Sequence, residues 1–139
     1  MTYISAELRK FVRKRAGNRC EYCLISEEIS FAAFEIDHII AVKHGGQNEE
    51  SNLAFSCSLC NKYKGSDIAS LDYETGEIAA LYNPRKDKWS DHFRLSGGRI
   101  VPLTPIGKVT VRLLQLNAMN RIEERELLMT VGYLGEQIS

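Results

Sequence analysis

The 139-residue chain is 44% hydrophobic and 26% charged, too polar on average for a membrane protein, too apolar for a disordered one, and of a length that fits one globular domain. Eighteen Lys and Arg balance eighteen Asp and Glu, which excludes phosphate binding through net charge alone. No run approaches the roughly 18 apolar residues of a spanning helix, and the start, MTYISAELRKFVRKRAG, has no apolar run ending at a small-residue cleavage site. We therefore expect a cytoplasmic protein with no membrane partner.

Ser5 to Ala16 places Leu8, Phe11, Val12 and Ala16 at helical recurrence, with basic side chains between them and Gly17 as a stop. Residues 1 to 20 hold Arg9, Lys10, Arg13, Lys14, Arg15 and Arg19 against Glu7 alone, so a local basic face is compatible with a neutral chain, as is an ordinary solvated helix. After Cys20-Glu-Tyr-Cys23, the stretch from Phe31 to Val42 is rich in β-branched and aromatic residues and predicts a strand. Gly45-Gly46 breaks it, Leu53 to Phe55 predicts a second strand, and Cys57, Cys60, Asn61 and Lys64 share one face of a following helix. Turn formers at Asp72, Gly76, Asn83 and Pro84 bracket a small hairpin near Ile78 to Tyr82. Thr104-Pro105 predicts a helix start, with Ile106 to Leu116 as the helix. Asn120 is the expected cap of a last helix, with Glu123, Glu124 and Glu126 near its start and Ile122, Leu127, Leu128 and Val131 as its apolar face. No internal repeat or linker stands out, and the order of elements predicts an α+β fold.

A chain of this length buries roughly two-thirds of its unfolded surface and does not depend on cross-links. Two Cys-x-x-Cys pairs in a reducing compartment therefore read as metal ligands before disulfides. Cys20, Cys23, Cys57 and Cys60 would saturate a tetrahedral Zn2+, leaving no open position for water, so the ion would be structural. Free or redox thiols and an iron site are the alternatives. Between the pairs lies Glu35-Ile-Asp37-His38, and Asn61 and Lys64 follow the second pair. Asp and Asn offer oxygen ligands to a hard cation, and His takes a proton near neutrality, so Asp37, His38 and Asn61 form a candidate hydrolytic set.

These residues, together with Gly45-Gly46 and Asn52-Leu53, resemble the HNH endonuclease motif in its zinc-bound four-Cys variant, over residues 15 to 68. Asn83-Pro84-Arg85, Trp89, His92-Phe93 and Leu103-Thr104-Pro105 are also similar to the tail of small stand-alone bacterial members. The resemblance implies a ββα-metal (His-Me finger) core that cuts phosphodiester bonds in DNA. On that reading residues 1–139 form a single domain: 1–19 a basic N-terminal helix, 20–70 the core with its zinc site, and 71–139 a mainly helical extension packed on it. His38 would be the general base, and Mg2+ or Mn2+ would be held by Asp37 and Asn61. Asn52 matches the family's central Asn, whose amide bridges the loop and supports His38. Asn61 stands where the second His would sit, so the chain reads H-N-N.

Asp37 and His38 are adjacent, and adjacent residues of a strand face opposite sides, so the strand is expected to end or twist there. Glu35 is a second carboxylate near the site, while His44 and His92 read as a loop residue and a packed aromatic corner. Lys64, Arg13, Lys14, Arg19 and Arg85 are candidate contacts to the nucleic-acid backbone, with Lys86 and Lys88 beside them. A homodimer would be needed for a double-strand break. Two other readings are a zinc-stabilised binding module that has lost its cutting site, and an interaction surface on the last two helices, whose plainer role is packing on the core.

Overall fold

The computed structural model describes residues 3–30 and 33–132. Helix α1, Ala6–Arg15, is capped by Ser5, whose side chain accepts from the Leu8 amide at 3.1 Å. Beyond Arg15, Gly17 (φ 65°) and Asn18 (φ 61°) turn the chain. Strand β1, Phe34–His38, pairs antiparallel with β2, Leu53–Cys57, in a register that sets Phe34 against Cys57 and His38 against Leu53. The expected strand from Phe31 to Val42 is thus shorter. Phe31 lies outside the described residues, and after His38 the chain bends into a short 3-10 turn at Val42–His44. Strand β2 runs two residues beyond the expected Leu53 to Phe55 and leads directly into helix α2, Ser58–Lys64, whose N-cap is Cys57.

Gly46 is required in the β1–β2 loop because a Cβ there would run into the Ile40 carbonyl. Asn52 closes the same loop: its Oδ1 accepts from the Ile40 amide at 2.9 Å, and its Nδ2 donates to the carbonyls of Ile40 and Gln47, both at 3.0 Å. A small core of Ile4, Val12, Leu53 and Phe55 packs α1 onto this hairpin.

The rest of the described chain builds around the cysteines. Strands β3, Ala69–Leu71, and β4, Ile78–Ala80, form a hairpin with Leu71 opposite Ile78; its second strand falls in the expected stretch and its first lies upstream of it. A single helical turn, α3 (Trp89–His92), and a second hairpin of β5, Phe93–Ser96, and β6, Arg99–Pro102, go beyond the sequence reading. Helix α4, Pro105–Leu113, starts at Thr104 as predicted, the Thr104 hydroxyl accepting from the Gly107 amide at 3.1 Å. Helix α5, Met119–Thr130, departs from expectation. Its N-cap is Ala118, with no side-chain cap, because Asn120 already lies inside the first turn. Its buried residues are Arg121, Ile122, Arg125 and Leu128, whereas Leu127 and Val131 are 63% and 55% exposed. Two members of the expected apolar face, Ile122 and Leu128, are thus buried, and Arg121 and Arg125 complete that face in place of Leu127 and Val131. The mixed helices and small sheets give an α+β protein, as the sequence predicts.

Candidate metal centre and active site

The four cysteine sulfurs converge. Cys20, Cys23, Cys57 and Cys60 are all buried, and their Sγ atoms lie within 4.8 Å of one another. Zn–S bonds of about 2.3 Å at tetrahedral angles put sulfurs about 3.8 Å apart, and Cys23 Sγ and Cys57 Sγ are separated by 3.7 Å. Each pair sits in a turn whose amide donates back to sulfur: the Cys23 amide to Cys20 Sγ at 3.5 Å and the Cys60 amide to Cys57 Sγ at 3.4 Å. Leu24, which follows the first pair, adopts φ 72° so that its amide reaches the Cys20 carbonyl at 3.0 Å. A leucine there stores backbone strain of about 1 kcal/mol or more. The four cysteines are positioned to bind a metal ion, and a set of four soft thiolates in a closed, buried shell fits zinc.

Four thiolates around a divalent ion leave excess negative charge in the interior, and α5 supplies the counter-charge. Arg121, 1% exposed, donates from Nη2 to Cys60 Sγ at 2.9 Å and reaches Cys57 Sγ at 3.6 Å. Its Nη1 donates to the carbonyls of Leu114 and Gln115 at 2.7 and 3.2 Å. Burial works against the Arg121 charge, and the sulfurs of Cys23, Cys60 and Cys57 outweigh it, so the guanidinium is held protonated. Arg125, fully buried one turn later, donates from Nε to the Gly98 carbonyl at 2.6 Å and from Nη2 to that of Leu116. Sequence reasoning missed both arginines. Their signal was the four-residue spacing on an otherwise amphipathic helix, which reads equally well as a solvated face.

Helix α2 runs alongside β1, and two contacts join them. Asn61 Nδ2 donates to Glu35 Oε1 at 3.0 Å. One turn on, Lys64 Nζ donates to Asp37 Oδ1 at 3.2 Å and to the His38 carbonyl at 3.1 Å. The side chains of Lys64 and Asp37 are 2% and 3% exposed. The Tyr22 hydroxyl, from inside the first Cys-x-x-Cys, donates to Asp37 Oδ2 at 2.7 Å. Burial and the neighbouring Asp37 charge push the Tyr22 hydroxyl up, which keeps it a donor. Burial likewise pushes the Asp37 carboxyl above its usual range, with Lys64 and Tyr22 pulling the other way.

His38 ends β1 as expected, and its ring leaves toward the β1–β2 loop, where Nε2 lies 2.6 Å from Asn48 Oδ1. Asn48 Nδ2 in turn donates to the Tyr3 carbonyl at 2.5 Å. Asp37 and His38 therefore meet different neighbours, and Asn61 touches Glu35 rather than Asp37. A carboxylate has about four acceptor positions, of which Tyr22 and Lys64 take one on each Asp37 oxygen. The hard-oxygen donors Asp37, Glu35 and Asn61, all at the β1–α2 contact, fit magnesium or manganese by their chemistry. His44 is exposed in the loop, and His92 packs in an aromatic corner, its Nδ1 2.6 Å from Thr104 Oγ1 and its ring 6.2 Å from that of Tyr82.

Two of the expected nucleic-acid contacts are internal instead. Lys64 is buried on Asp37, because the helix turns it inward toward a buried carboxylate. Arg85 pairs with Glu21 and donates from Nη1 to the Leu53 carbonyl at 3.0 Å, while Glu21 Oε2 accepts from the Phe55 amide at 2.8 Å. It thereby ties the first Cys-x-x-Cys to β2. Arg13 is half engaged by Glu27 at 2.8 Å, Arg19 is partly buried, and Lys14, Lys86 and Lys88 are exposed. Arg9, Lys10 and Arg13 overhang a groove of about 410 Å³ whose other wall is Phe34, Glu35, Ile36 and Phe55.

No curated protein and no solved structure matches the chain. A family model described as HNH endonuclease matches residues 20–67, from the first zinc-type cysteine to just beyond Lys64. Residues 20–67 are thus an HNH endonuclease match, and with four cysteines positioned to bind one metal ion they agree with the zinc-bound form of that family.

Proposed function

We propose that the chain is a metal-dependent endonuclease that hydrolyses phosphodiester bonds in DNA, with a ββα-metal core formed by β1, β2 and α2. The observation that carries this reading is His38: half-buried, at the end of β1, inside the matched segment, and, among the described residues, hydrogen-bonded through Nε2 alone of its ring nitrogens. Among the described residues none takes a hydrogen bond from or gives one to Nδ1, so that nitrogen is the general base. It draws a proton from a water, the resulting hydroxide attacks phosphorus, and the bond to the 3′ oxygen breaks; that oxygen takes a proton from solvent, leaving a 5′ phosphate and a 3′ hydroxyl, and His38 returns its proton to solvent. Asn52 holds the loop that follows His38 by its clamp on Ile40. Magnesium or manganese held by Asp37 and Asn61, with Glu35 beside Asn61, would stabilise charge on the scissile phosphate and the departing oxygen. The buried sulfur site is structural. The cell compartment we propose is the cytoplasm, and the partner is DNA.

The second reading is a zinc-stabilised nucleic-acid-binding module without cutting activity, and the observation favouring it is the Lys64–Asp37 ion pair, which sets a cation where the divalent ion needs a ligand. Incubation of supercoiled plasmid with magnesium, manganese or EDTA separates the two. Wild type is expected to nick with either metal and not in EDTA. His38→Ala at equal zinc content is expected to fall by about 10²- to 10⁴-fold, the range of a lost general base. Plasmid binding with no cleavage of any plasmid, linear or branched substrate would establish the binding module instead.

A further inference from the structure

A neutral imidazole carries its proton on one nitrogen and its lone pair on the other, and only the second can act as a base. Which is which follows here from three groups in line. The Tyr3 carbonyl can only accept. Asn48 therefore turns its amide nitrogen to Tyr3, at 2.5 Å, and its oxygen to His38 Nε2, at 2.6 Å. The reverse orientation would set the Asn48 oxygen against the Tyr3 oxygen and forfeit that hydrogen bond. An amide oxygen can only accept, so Nε2 must carry the proton, and the lone pair of neutral His38 lies on Nδ1.

We propose that Asn48 is a positioning residue that fixes His38 in its Nε2–H form and holds the ring by that hydrogen bond, with the backbone ahead of α1 setting the orientation of Asn48. The inference rests on the nuclease reading only for its catalytic consequence; the proton's place on the ring is independent of it. Asn48 lies in the loop beyond Gly45-Gly46, and the fit of Gly46 under the Ile40 carbonyl and the Asn52 clamp on Gln47 keep that loop folded back over the end of β1. The Asn48 oxygen meets the imidazole on the side away from the base nitrogen, so Asn48 acts through His38.

The test is the ¹H–¹⁵N correlation spectrum of the histidine side chains in the zinc-loaded protein, without substrate or magnesium. The chain has three histidines, and the His38 signals are those that disappear in His38→Gln. Wild type is expected to show neutral His38 protonated at Nε2, with an N–H proton shielded from exchange with water. Asn48→Ala is expected to lose that resolved proton and to nick plasmid about 10- to 100-fold more slowly, the usual cost of removing a partner that orients a functional side chain. Asn48→Asp keeps an acceptor facing Nε2 but gives up the donor to the Tyr3 carbonyl, so it is expected to recover the proton signal and only part of the rate. A wild-type proton on Nδ1, or Asn48→Ala with both signal and rate unchanged, would overturn the assignment. If wild type shows the Nε2–H form but cleaves nothing, the positioning role stands and the nuclease reading falls. Should Asn48→Ala fail to fold, the wild-type spectrum and Asn48→Asp still decide the matter.

Discussion

The β1–β2–α2 unit presents two chemically opposite ends. Where α2 begins, four sulfurs are sealed from solvent, each pair has an amide donated to it, and a buried guanidinium from another helix completes the charge balance. At the far end of β1 His38 is half-buried and meets a loop asparagine, while exposed Glu35 and half-buried Asn61 touch each other nearer the cysteines, where β1 starts. The four sulfurs can fill every position of a tetrahedral ion, whereas the open end offers a half-buried imidazole, with an exposed carboxylate at Glu35 further along the same strand. A metal at the closed end can only hold the chain together, and chemistry on a large substrate needs the open end. Lys64 and Tyr22 join the two: Tyr22 lies between two of the cysteines in sequence, yet its hydroxyl reaches Asp37 beside His38.

The largest effect is expected from breaking the closed end. Cys60→Ser removes a thiolate and, with it, the acceptor of the Arg121 hydrogen bond. Structural zinc sites contribute about 10–16 kcal/mol of apparent binding energy, more than the whole stability of a typical domain, so this variant is expected to bind less than one zinc per chain and to lose cooperative unfolding. A folded, zinc-loaded Cys60→Ser would show that three sulfurs suffice. Chelation of the wild type is expected to have the same result.

A smaller effect distinguishes the two buried cations. Arg121→Met and Lys64→Met each leave buried negative charge without its partner, at a cost of about 3–5 kcal/mol. The consequences differ by location. Arg121→Met is expected to hand zinc to a chelator faster than wild type, because the sulfurs lose their donor, whereas Lys64→Met is expected to melt earlier while holding zinc as firmly. Zinc-release rates set beside melting curves make the comparison. Equal release rates in the two variants would mean that Arg121 stabilises α5 rather than the sulfur cluster.

These pairs also explain what could be read from the sequence and what could not. The cysteines, the recurrence of α1, the capped start of α4, and the β1–β2–α2 order were legible because local rules govern them: ligand spacing, helical periodicity, cap chemistry, alternation. Placement of the cations was not. Lys64 and Arg85 sit at positions that suit a solvated helix or a basic loop, and only the three-dimensional approach of Asp37 and Glu21, 27 and 64 residues away in sequence, turns them inward. Arg121 and Arg125 join Ile122 and Leu128 on the buried face of α5, and for Arg121 the reason is the same, since the charge it answers is made by four residues from two distant segments. Nothing local marks Asn48, whose contact with His38 spans ten residues of sequence.

The smallest effect on stability falls on the basic face of α1, where it sharpens the contrast between cations used inside and cations left for a partner. Arg9 and Lys10 are exposed on the groove that ends at Glu35, and among the described residues neither has an ion pair or hydrogen bond to another side chain. Surface substitutions at such positions shift stability by about 0.5 kcal/mol or less. The double variant Arg9→Ala/Lys10→Ala is therefore expected to melt with the wild type. On duplex DNA, removing one phosphate-bound cation lowers the slope of log affinity against log salt by about 0.9. If both side chains meet phosphates, the slope falls by about 2, and binding weakens in low salt for every sequence tested, since cations on a backbone carry no base information. Arg85→Ala is the reciprocal control. Its guanidinium holds Glu21 and the Leu53 carbonyl, so the variant is expected to lower the melting temperature and to leave the salt slope unchanged. An unchanged slope in the α1 variant, with binding intact, would move the phosphate-binding surface away from this helix, toward the exposed Lys86 and Lys88.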